Sequence, residues 1–141
     1  MKKYLFLVLC AFVFAVACNE KPQARREALG GADSVLSAYL GSFNGILPCA
    51  DCEGIDTELT LNEDGTFTLI EFYLSQESDL YLTEGAWQLS PDSSYVILTP
   101  APEEGRAARR LFFALNGIDL DMLDINAKPI DSTLNYTLRR K

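Results

Sequence analysis

Two cysteines three positions apart are the residues of this chain best suited to chemistry. Cys49 and Cys52 enclose one alanine and one aspartate within the run GILPCADCEGI, residues 45–55. Two thiolates are soft ligands of the kind that select Cu(I), whereas a closed zinc site needs four ligands. The chain contains no histidine, and the nearby carboxylates of Asp51 and Glu53 are hard ligands that suit Cu(I) poorly. A soft-metal site on the two sulfurs is therefore one interpretation, with copper as a possible cofactor.

The same cysteine pair also permits a disulfide, in more than one role. An exposed pair in an oxidising compartment tends to close, and a strained disulfide is more easily reduced and can respond to redox state. A disulfide that only pins a loop is the structural alternative. A thioredoxin-like catalyst needs its motif near a βαβ unit, which this chain does not offer, so we do not expect an enzyme. The metal, redox and structural interpretations stay open at this point.

The sequence predicts an export signal at residues 1–17. Lys2 and Lys3 precede an uncharged, mostly apolar run, residues 4–17, which is shorter than the roughly 20 residues of a transmembrane helix. Small residues directly before Cys18 resemble a bacterial lipobox, although Ala15 stands where leucine is usual. We therefore expect cleavage before Cys18, acylation of its thiol and a lipid anchor in the membrane. An ordinary signal peptide followed by an incidental cysteine is the alternative.

The remainder of the chain is acidic. The sequence carries 20 acidic and 12 basic residues, and no lysine or arginine lies between Arg26 and Arg106. Nucleic-acid binding is therefore not expected, because phosphate neutralisation requires a clustered basic surface. Residues 18–37 are polar, contain Pro22 and two adjacent glycines, and show no sustained apolar face. We predict that they form a flexible tether, which would hold the following domain on the order of 25 Å from its anchor.

Short strands are predicted throughout residues 38–141, which we take as a single domain. Apolar residues at 55, 59 and 61 alternate with polar ones, which is typical of a half-buried strand, and Asp64-Gly65 is typical of a hairpin turn. Further strands are predicted near residues 39–45, 66–74, 81–89, 95–99, 109–115, 119–124 and 133–140. This pattern indicates an all-β fold, an up-and-down antiparallel β-barrel of about eight strands. A two-sheet sandwich is the alternative, and a barrel of this size is either packed solid or holds one small ligand.

Large aromatic side chains are the predicted core of this barrel. A mostly buried Trp87 is more typical of core packing than of a ligand site. The other predicted core aromatics are Tyr39, Phe43, Phe67, Phe72 and Tyr136.

The motifs around the cysteine pair resemble those of a known family. The run LPCADCEGI, residues 47–55, together with TELTL at 57–61 and DGTF at 64–67, is similar to the N-terminal domain of the NlpE lipoproteins. The later runs GAWQL at 85–89, LDMLD at 120–124 and LNYTL at 134–138 fit the same domain. The resemblance implies a lipocalin-like β-barrel tethered to the outer membrane, with Cys49 and Cys52 near one end. Longer family members carry a second domain, which we do not expect in this chain because the sequence ends with the predicted barrel.

The resemblance also implies a function. It suggests a lipoprotein of the cell envelope with roles in copper tolerance and envelope-stress sensing, with Cys49 and Cys52 as the responsive site. Its expected partners are the membrane, through the lipid anchor, and an envelope signalling protein. Two other interpretations remain open: a lipocalin-like carrier of a small apolar ligand, and a structural lipoprotein whose disulfide only pins a loop.

Overall fold

The computed structural model describes residues 34–75, 79–102 and 109–141. The predicted signal, Cys18 and most of the predicted tether lie outside these residues. The described part forms one closed antiparallel barrel in which each strand pairs with the next along the chain and the last pairs with the first. The strands are β1 (Gly41–Leu47), β2 (Ile55–Leu61), β3 (Thr66–Tyr73), β4 (Leu80–Leu89), β5 (Tyr95–Pro100), β6 (Leu111–Asn116), β7 (Asp119–Met122) and β8 (Thr137–Arg140). The predicted fold class, an all-β up-and-down barrel, is confirmed.

The first three strands form a continuous antiparallel ladder. The β1–β2 register runs from Gly41 opposite Leu61 to Leu47 opposite Ile55, and β3 continues it through the turn at Asp64-Gly65. Gly65 has a φ of 81°, a left-handed conformation that glycine adopts without the steric cost of a side chain. The Asp64 carboxylate accepts hydrogen bonds from the Thr66 amide and hydroxyl, which lowers the pKa of that carboxyl. The hairpin predicted from this turn is therefore present.

The barrel interior is a packed apolar core. Alternate residues of each strand point inward, since the side-chain period of a strand is two, and most of these residues are buried. The buried core cluster consists of Tyr39, Phe43, Leu47, Leu59, Leu61, Phe67, Leu69, Trp87, Val96, Leu98, Phe113, Leu120 and Leu138. The Trp87 indole donates to the Asn62 carbonyl oxygen at 2.9 Å, which satisfies its single polar atom. This filled interior corresponds to the solid-packed form of an eight-strand barrel.

A short helix closes one end of the barrel, which we call the helix pole. The helical residues 34–39 precede β1, and the Tyr39 side chain is 1% exposed within the core. The Tyr39 hydroxyl donates to the Ser94 carbonyl oxygen at 3.0 Å and accepts from the Leu115 amide at 3.4 Å. Burial raises the pKa of this hydroxyl, so Tyr39 stays neutral at ordinary pH. The Tyr39 hydroxyl thereby binds the helix to the β4–β5 turn and to strand β6.

The turn between β4 and β5 lies at the same pole and has its own carboxylate. Asp92 accepts hydrogen bonds from the Ser90 hydroxyl at 2.6 Å and the Ser94 hydroxyl at 2.8 Å. These bonds favour the ionised carboxylate and lower the pKa of Asp92 to about 2. The charged form of Asp92 therefore fixes the turn whose Ser94 carbonyl receives Tyr39.

Arg140 binds the helix to the end of the last strand. Its guanidinium donates to the Leu40 carbonyl oxygen at 2.7 Å, to the Ala38 carbonyl oxygen, and from Nε to the Ile118 carbonyl oxygen at 3.1 Å. The guanidinium carbon also lies 4.6 Å from the centre of the Phe43 ring, within the range of a cation–π contact. One side chain thus connects β8, the helix and the barrel interior.

Three sequence expectations differ from the observed fold. Phe72 is exposed and not in the core, because the inward alternation of Phe67 and Leu69 continues to Tyr73 without a shift of face. Tyr136 is only half-buried. The last strand begins at Thr137 and not at residue 133, because Ser132 and Asn135 bond the backbone amides of Leu134 and Thr137 in turns, and such local bonds compete with the strand ladder.

We predict that Arg140→Met destabilises the protein by about 2–4 kcal/mol, since hydrogen bonds from a charged donor contribute about 1.5–3 kcal/mol and a cation–π contact about 0.5–2. Urea unfolding of the full-length protein measures the change. Arg139→Met is the matched control, because the neighbouring Arg139 is exposed and its loss should change stability by less than about 0.5 kcal/mol. Equal effects of the two substitutions would contradict the role assigned to Arg140.

Candidate functional site

The cysteine pair lies in the loop between β1 and β2, at the end of the barrel opposite the helix pole; we call this end the disulfide pole. Strand β1 runs away from the helix and ends at Leu47, and β2 begins again at Ile55. Cys49 and Cys52 are joined by a disulfide, with their Cα atoms 5.3 Å apart. Both residues are half-buried, while Ala50 and Asp51 between them are exposed. The two sulfurs therefore lie at the rim of the barrel and not within its core.

The loop is held to the barrel by the segment that follows β3. The Glu53 amide donates to the Leu74 carbonyl oxygen at 3.0 Å, and the Leu74 amide donates to the Gly54 carbonyl oxygen at 2.9 Å. These two bonds extend the β2–β3 ladder beyond its last strand pair, Ile55 opposite Tyr73. The second cysteine is therefore attached to a regular sheet, whereas the first follows Pro48, which has no amide hydrogen to donate to a ladder.

Glycine is required at residue 54 because the loop approaches β1 closely. A Cβ atom at this position would lie 2.5 Å from Cγ2 of Ile46, well inside van der Waals contact. The Gly54 carbonyl oxygen lies 3.2 Å from Sγ of Cys52. In the disulfide that sulfur carries no proton, so this is a close contact and not a hydrogen bond. After reduction the Cys52 thiol could donate to the same oxygen.

The disulfide faces a cavity of about 390 Å³ at the barrel rim. Tyr73, Ser75 and Asp79, from the end of β3 and the connection to β4, complete the lining. The Tyr73 ring also meets Tyr81 edge to face, with centroids 5.4 Å apart. The cavity lining is Pro48, Cys49, Ala50, Asp51, Cys52, Ile55, Tyr73, Ser75 and Asp79. None of these described side chains is basic, and the charged groups among them are the carboxylates of Asp51 and Asp79.

This setting differs from that of a thiol–disulfide catalyst. Low thiol pKa values arise at helix N-termini or beside cationic groups. The cysteine pair here lies in a loop between two strands, and the described residues that line the cavity include neither lysine nor arginine. In the part of the chain that the structure describes, neither of the two features that usually activate a cysteine nucleophile is found at this pair.

A preformed metal site is not found in the described part of the chain. Among residues 34–75, 79–102 and 109–141, no three histidine, cysteine, aspartate or glutamate side chains are grouped to hold a metal ion. The two cysteine sulfurs are bonded to each other, so they become soft ligands only after reduction. As thiolates they fit a two-coordinate Cu(I) ion by their chemistry. The chemistry of the pair therefore depends on its redox state.

Sequence reasoning located the cysteine loop but missed the groups opposite it. Tyr73, Ser75 and Asp79 are absent from the predicted site, although the hairpin register allows Tyr73 to be found. Counting outward from the Asp64-Gly65 turn places residue 73 opposite residue 55, next to the loop. Cys18, the predicted lipidation site, lies outside the described residues. Within those residues, no helix is long and apolar enough to cross a membrane.

Comparison with known proteins identifies relatives of this chain. The family model of the NlpE N-terminal domain matches residues 43–133, well over half of the sequence. The lipoprotein NlpE of Escherichia coli K12 is 39% identical over 126 residues, covering 87% of this chain and 50% of the relative. A 17 kDa lipoprotein of Treponema pallidum is 36% identical over 110 residues, covering 70% of this chain and 69% of the relative. The chain thus spans half the length of the Escherichia coli protein.

Two solved structures share the fold. One is the Escherichia coli Cpx pathway activator NlpE, 38% identical, with a TM-score of 0.55 over 71% of this chain and 49% of that one. The other is a candidate lipoprotein from Shewanella oneidensis, 30% identical, with a TM-score of 0.62 over 73% of this chain and 89% of that one. Both proteins therefore resemble this chain in sequence as well as in fold.

We predict that replacing both cysteines, Cys49→Ser with Cys52→Ser, costs about 2 kcal/mol, because a ring this small restricts the unfolded chain only slightly. Urea unfolding with and without a reductant measures the change. The wild type should lose the same amount when reduced, and the double variant should not respond to reductant. Ala50→Ser, an exposed change in the same loop, is the control. Global unfolding of the double variant would contradict a local role for the disulfide.

Proposed function

This chain belongs to the NlpE N-terminal domain family, and on that basis we propose that it is an envelope lipoprotein whose Cys49–Cys52 pair senses stress and contributes to copper tolerance. The relatives are named as lipoproteins, and one solved relative is named as an activator of the Cpx pathway. This chain covers about half of that relative. Activation of a signalling pathway is therefore a proposal for this chain. An envelope signalling protein is the proposed partner.

The observation that supports this proposal most directly is the position of the disulfide at the barrel rim. Both cysteines are half-buried and face a cavity, so a thiol reagent or a metal ion can approach the sulfurs without unfolding the barrel. A disulfide that only stabilised the core would not need such access. Accessibility at a thiol pair is a property that redox-responsive cysteines share.

The proposed chemistry has two balanced steps. Two electrons and two protons from a thiol donor reduce the disulfide, while the donor is itself oxidised to a disulfide. The free thiols then release their protons on binding Cu(I), since thiolates are the soft ligands that select this ion. The pair therefore links copper load to the redox state of the envelope.

The lipid anchor is the second part of the proposal. Acylation of Cys18 would attach the protein to a membrane, which we propose to be the outer membrane. The sequence between Cys18 and the helix at residues 34–39 would then connect the anchor to the helix pole. The disulfide pole would lie at the far end of the barrel from this attachment.

We predict that cells producing the protein incorporate radiolabelled palmitate into it and that Cys18→Ser abolishes the label, because the acylated thiol is then absent. Immunoprecipitation followed by fluorography provides the measurement. The Cys49→Ser, Cys52→Ser variant is the control and should retain full labelling. Labelled Cys18→Ser protein, or an unlabelled wild type, would contradict lipidation at this residue.

We predict that the reduced full-length protein binds one Cu(I) through the cysteine pair with a Kd below about 1 μM. Anaerobic competition with a chromogenic Cu(I) chelator measures the affinity, and the Cys49→Ser, Cys52→Ser variant should bind at least about a hundredfold more weakly. Met122→Leu is the control, since Met122 is the only methionine besides Met1, and it should bind normally.

Complementation of a deletion strain tests the same proposal in cells. The wild-type chain should restore growth in copper, and the double cysteine variant should not. Full rescue by the cysteine variant, or Cu(I) binding that does not need the thiols, would favour the structural interpretation of the disulfide.

A further inference from the structure

The outer face of the β3–β4 hairpin carries four apolar side chains next to one another. Ile70 and Phe72 on β3 are each 37% exposed, and Leu82 and Leu80 on β4 are 57% and 67% exposed. The strand register places Phe72 opposite Leu80 and Ile70 opposite Leu82, so all four residues lie on one face. We call this set the hairpin patch. A contiguous apolar patch on a protein surface commonly marks a site of interaction.

The hairpin patch borders a strand edge. Within the described residues, β4 pairs with β5 only from Gly85 onward, where Gly85 lies opposite Pro100. The Ala101 amide still donates to the Glu84 carbonyl oxygen, but no described strand lies beside residues 80–83 of β4 on the side away from β3. Such an edge presents backbone donors and acceptors that can pair with an added strand.

The hydrogen bonds at the two ends of β4 show which of its backbone N–H and C=O groups point away from β3. Asp79 and Trp87 bond toward β3, through the pairs Tyr73 N to Asp79 O and Trp87 N to Gly65 O. Backbone groups of successive strand residues alternate in direction, so Leu80, Leu82 and Glu84 point the other way. The Glu84 carbonyl oxygen confirms this direction, since it accepts from the Ala101 amide. Leu80 and Leu82 thus direct their N–H and C=O groups to the edge.

Acidic groups flank the hairpin patch. Asp79 and Glu84 lie on either side of residues 80–83 along the chain, and Asp56 on β2 is opposite Phe72. Strands β1 to β5 contain no lysine or arginine, because none occurs between Arg26 and Arg106. Lys141, which follows β8, forms a salt bridge with Glu58 on β2, with Nζ 2.7 Å from Oε1. This ion pair lies on the β2 side of the hairpin patch, away from the β4 edge. An occupant that is apolar in its centre and basic at its ends would match this surface.

We propose that the edge of β4 at residues 80–83, with the hairpin patch beside it, binds an extended segment of a partner protein as an added antiparallel strand. Such binding takes affinity from backbone hydrogen bonds and specificity from alternate side chains. In the added strand, the two residues opposite Leu80 and Leu82 exchange both backbone hydrogen bonds with them. The side chains of these two partner residues then lie beside the hairpin patch. Those two positions take apolar residues, and lysine or arginine follows at each end, near Asp79 and Glu84. The proposed function enters only in assigning this partner to the cell envelope.

Two other occupants fit the surface less well. An anionic membrane surface is repelled by the flanking carboxylates. A second copy of this chain would bring its own acidic strands against these acidic strands, because both edges carry the same charges. A basic, extended segment has neither disadvantage.

Peptide binding to the purified full-length protein tests this proposal. The probe is a fluorescein-labelled heptapeptide, Lys-Thr-Val-Thr-Val-Thr-Lys, measured by fluorescence anisotropy in one fixed mild detergent. We expect a Kd in the micromolar range. A peptide with glutamate in place of both lysines, and a peptide methylated at both valine nitrogens, should each bind at least about tenfold more weakly, which corresponds to about 1.4 kcal/mol.

Matched substitutions in the protein locate the binding site. Leu80→Lys should weaken binding of the Lys peptide at least about tenfold, whereas Ile118→Lys should leave it unchanged. The two residues are equally suitable for this comparison, because Leu80 is 67% and Ile118 is 68% exposed and Ile118 lies in the turn before β7 at the helix pole. Both variants should retain the wild-type circular dichroism spectrum, since neither side chain is buried.

Several results would overturn the proposal. These are a Kd above about 1 mM, equal binding of the N-methylated peptide, or an equal loss of binding in Ile118→Lys. Sedimentation that detects a dimer dissociated by Leu80→Lys would assign the surface to a second copy of this chain. Flotation with anionic vesicles that requires Leu80 would assign it to lipid. None of these results bears on copper binding or lipidation, which are tested separately.

Discussion

Closure of the barrel between its first and last strands is the constraint on which the rest of the structure depends. The seam has only two residue pairs, Phe43 opposite Arg140 and Asn44 opposite Arg139, because β8 is four residues long. Arg140 compensates for this short ladder by binding carbonyl oxygens of the helix segment and covering the Phe43 ring. Without the seam, β1 would become a free edge, and free edges invite unwanted pairing.

The chemistry at the other end of the barrel follows from that closure. A filled core leaves no room for a reactive group inside, so the cysteine pair lies in a loop beyond the strands. Ladder bonds between the loop and Leu74 fix Cys52 to the sheet, while Ala50 and Asp51 remain exposed. The protein thus combines a rigid support with an accessible pair of sulfurs. Membership in the NlpE N-terminal domain family associates this arrangement with lipoproteins of the cell envelope.

The sequence predicted most of this architecture where one signal dominated. Strand β2 has the bounds expected from its alternation, and the Asp64-Gly65 turn determined the next register. Phe72 could not be placed, because apolar residues occur on both faces at residues 70–73 and only the completed ladder selects one. The helix at residues 34–39 is too short to produce a helical period, and it depends on Tyr39 reaching Ser94 across 55 residues of sequence. Such distant contacts are invisible in a local pattern.

Both described ends of the chain lie at the same side of the barrel. The helix enters there, and the Lys141 amide donates to the Ser42 carbonyl oxygen at 3.0 Å beside it. Sequence continued past Lys141, such as a fused fluorescent reporter, would emerge next to the incoming segment. Such a fusion would therefore not block access to the disulfide pole at the opposite end of the barrel.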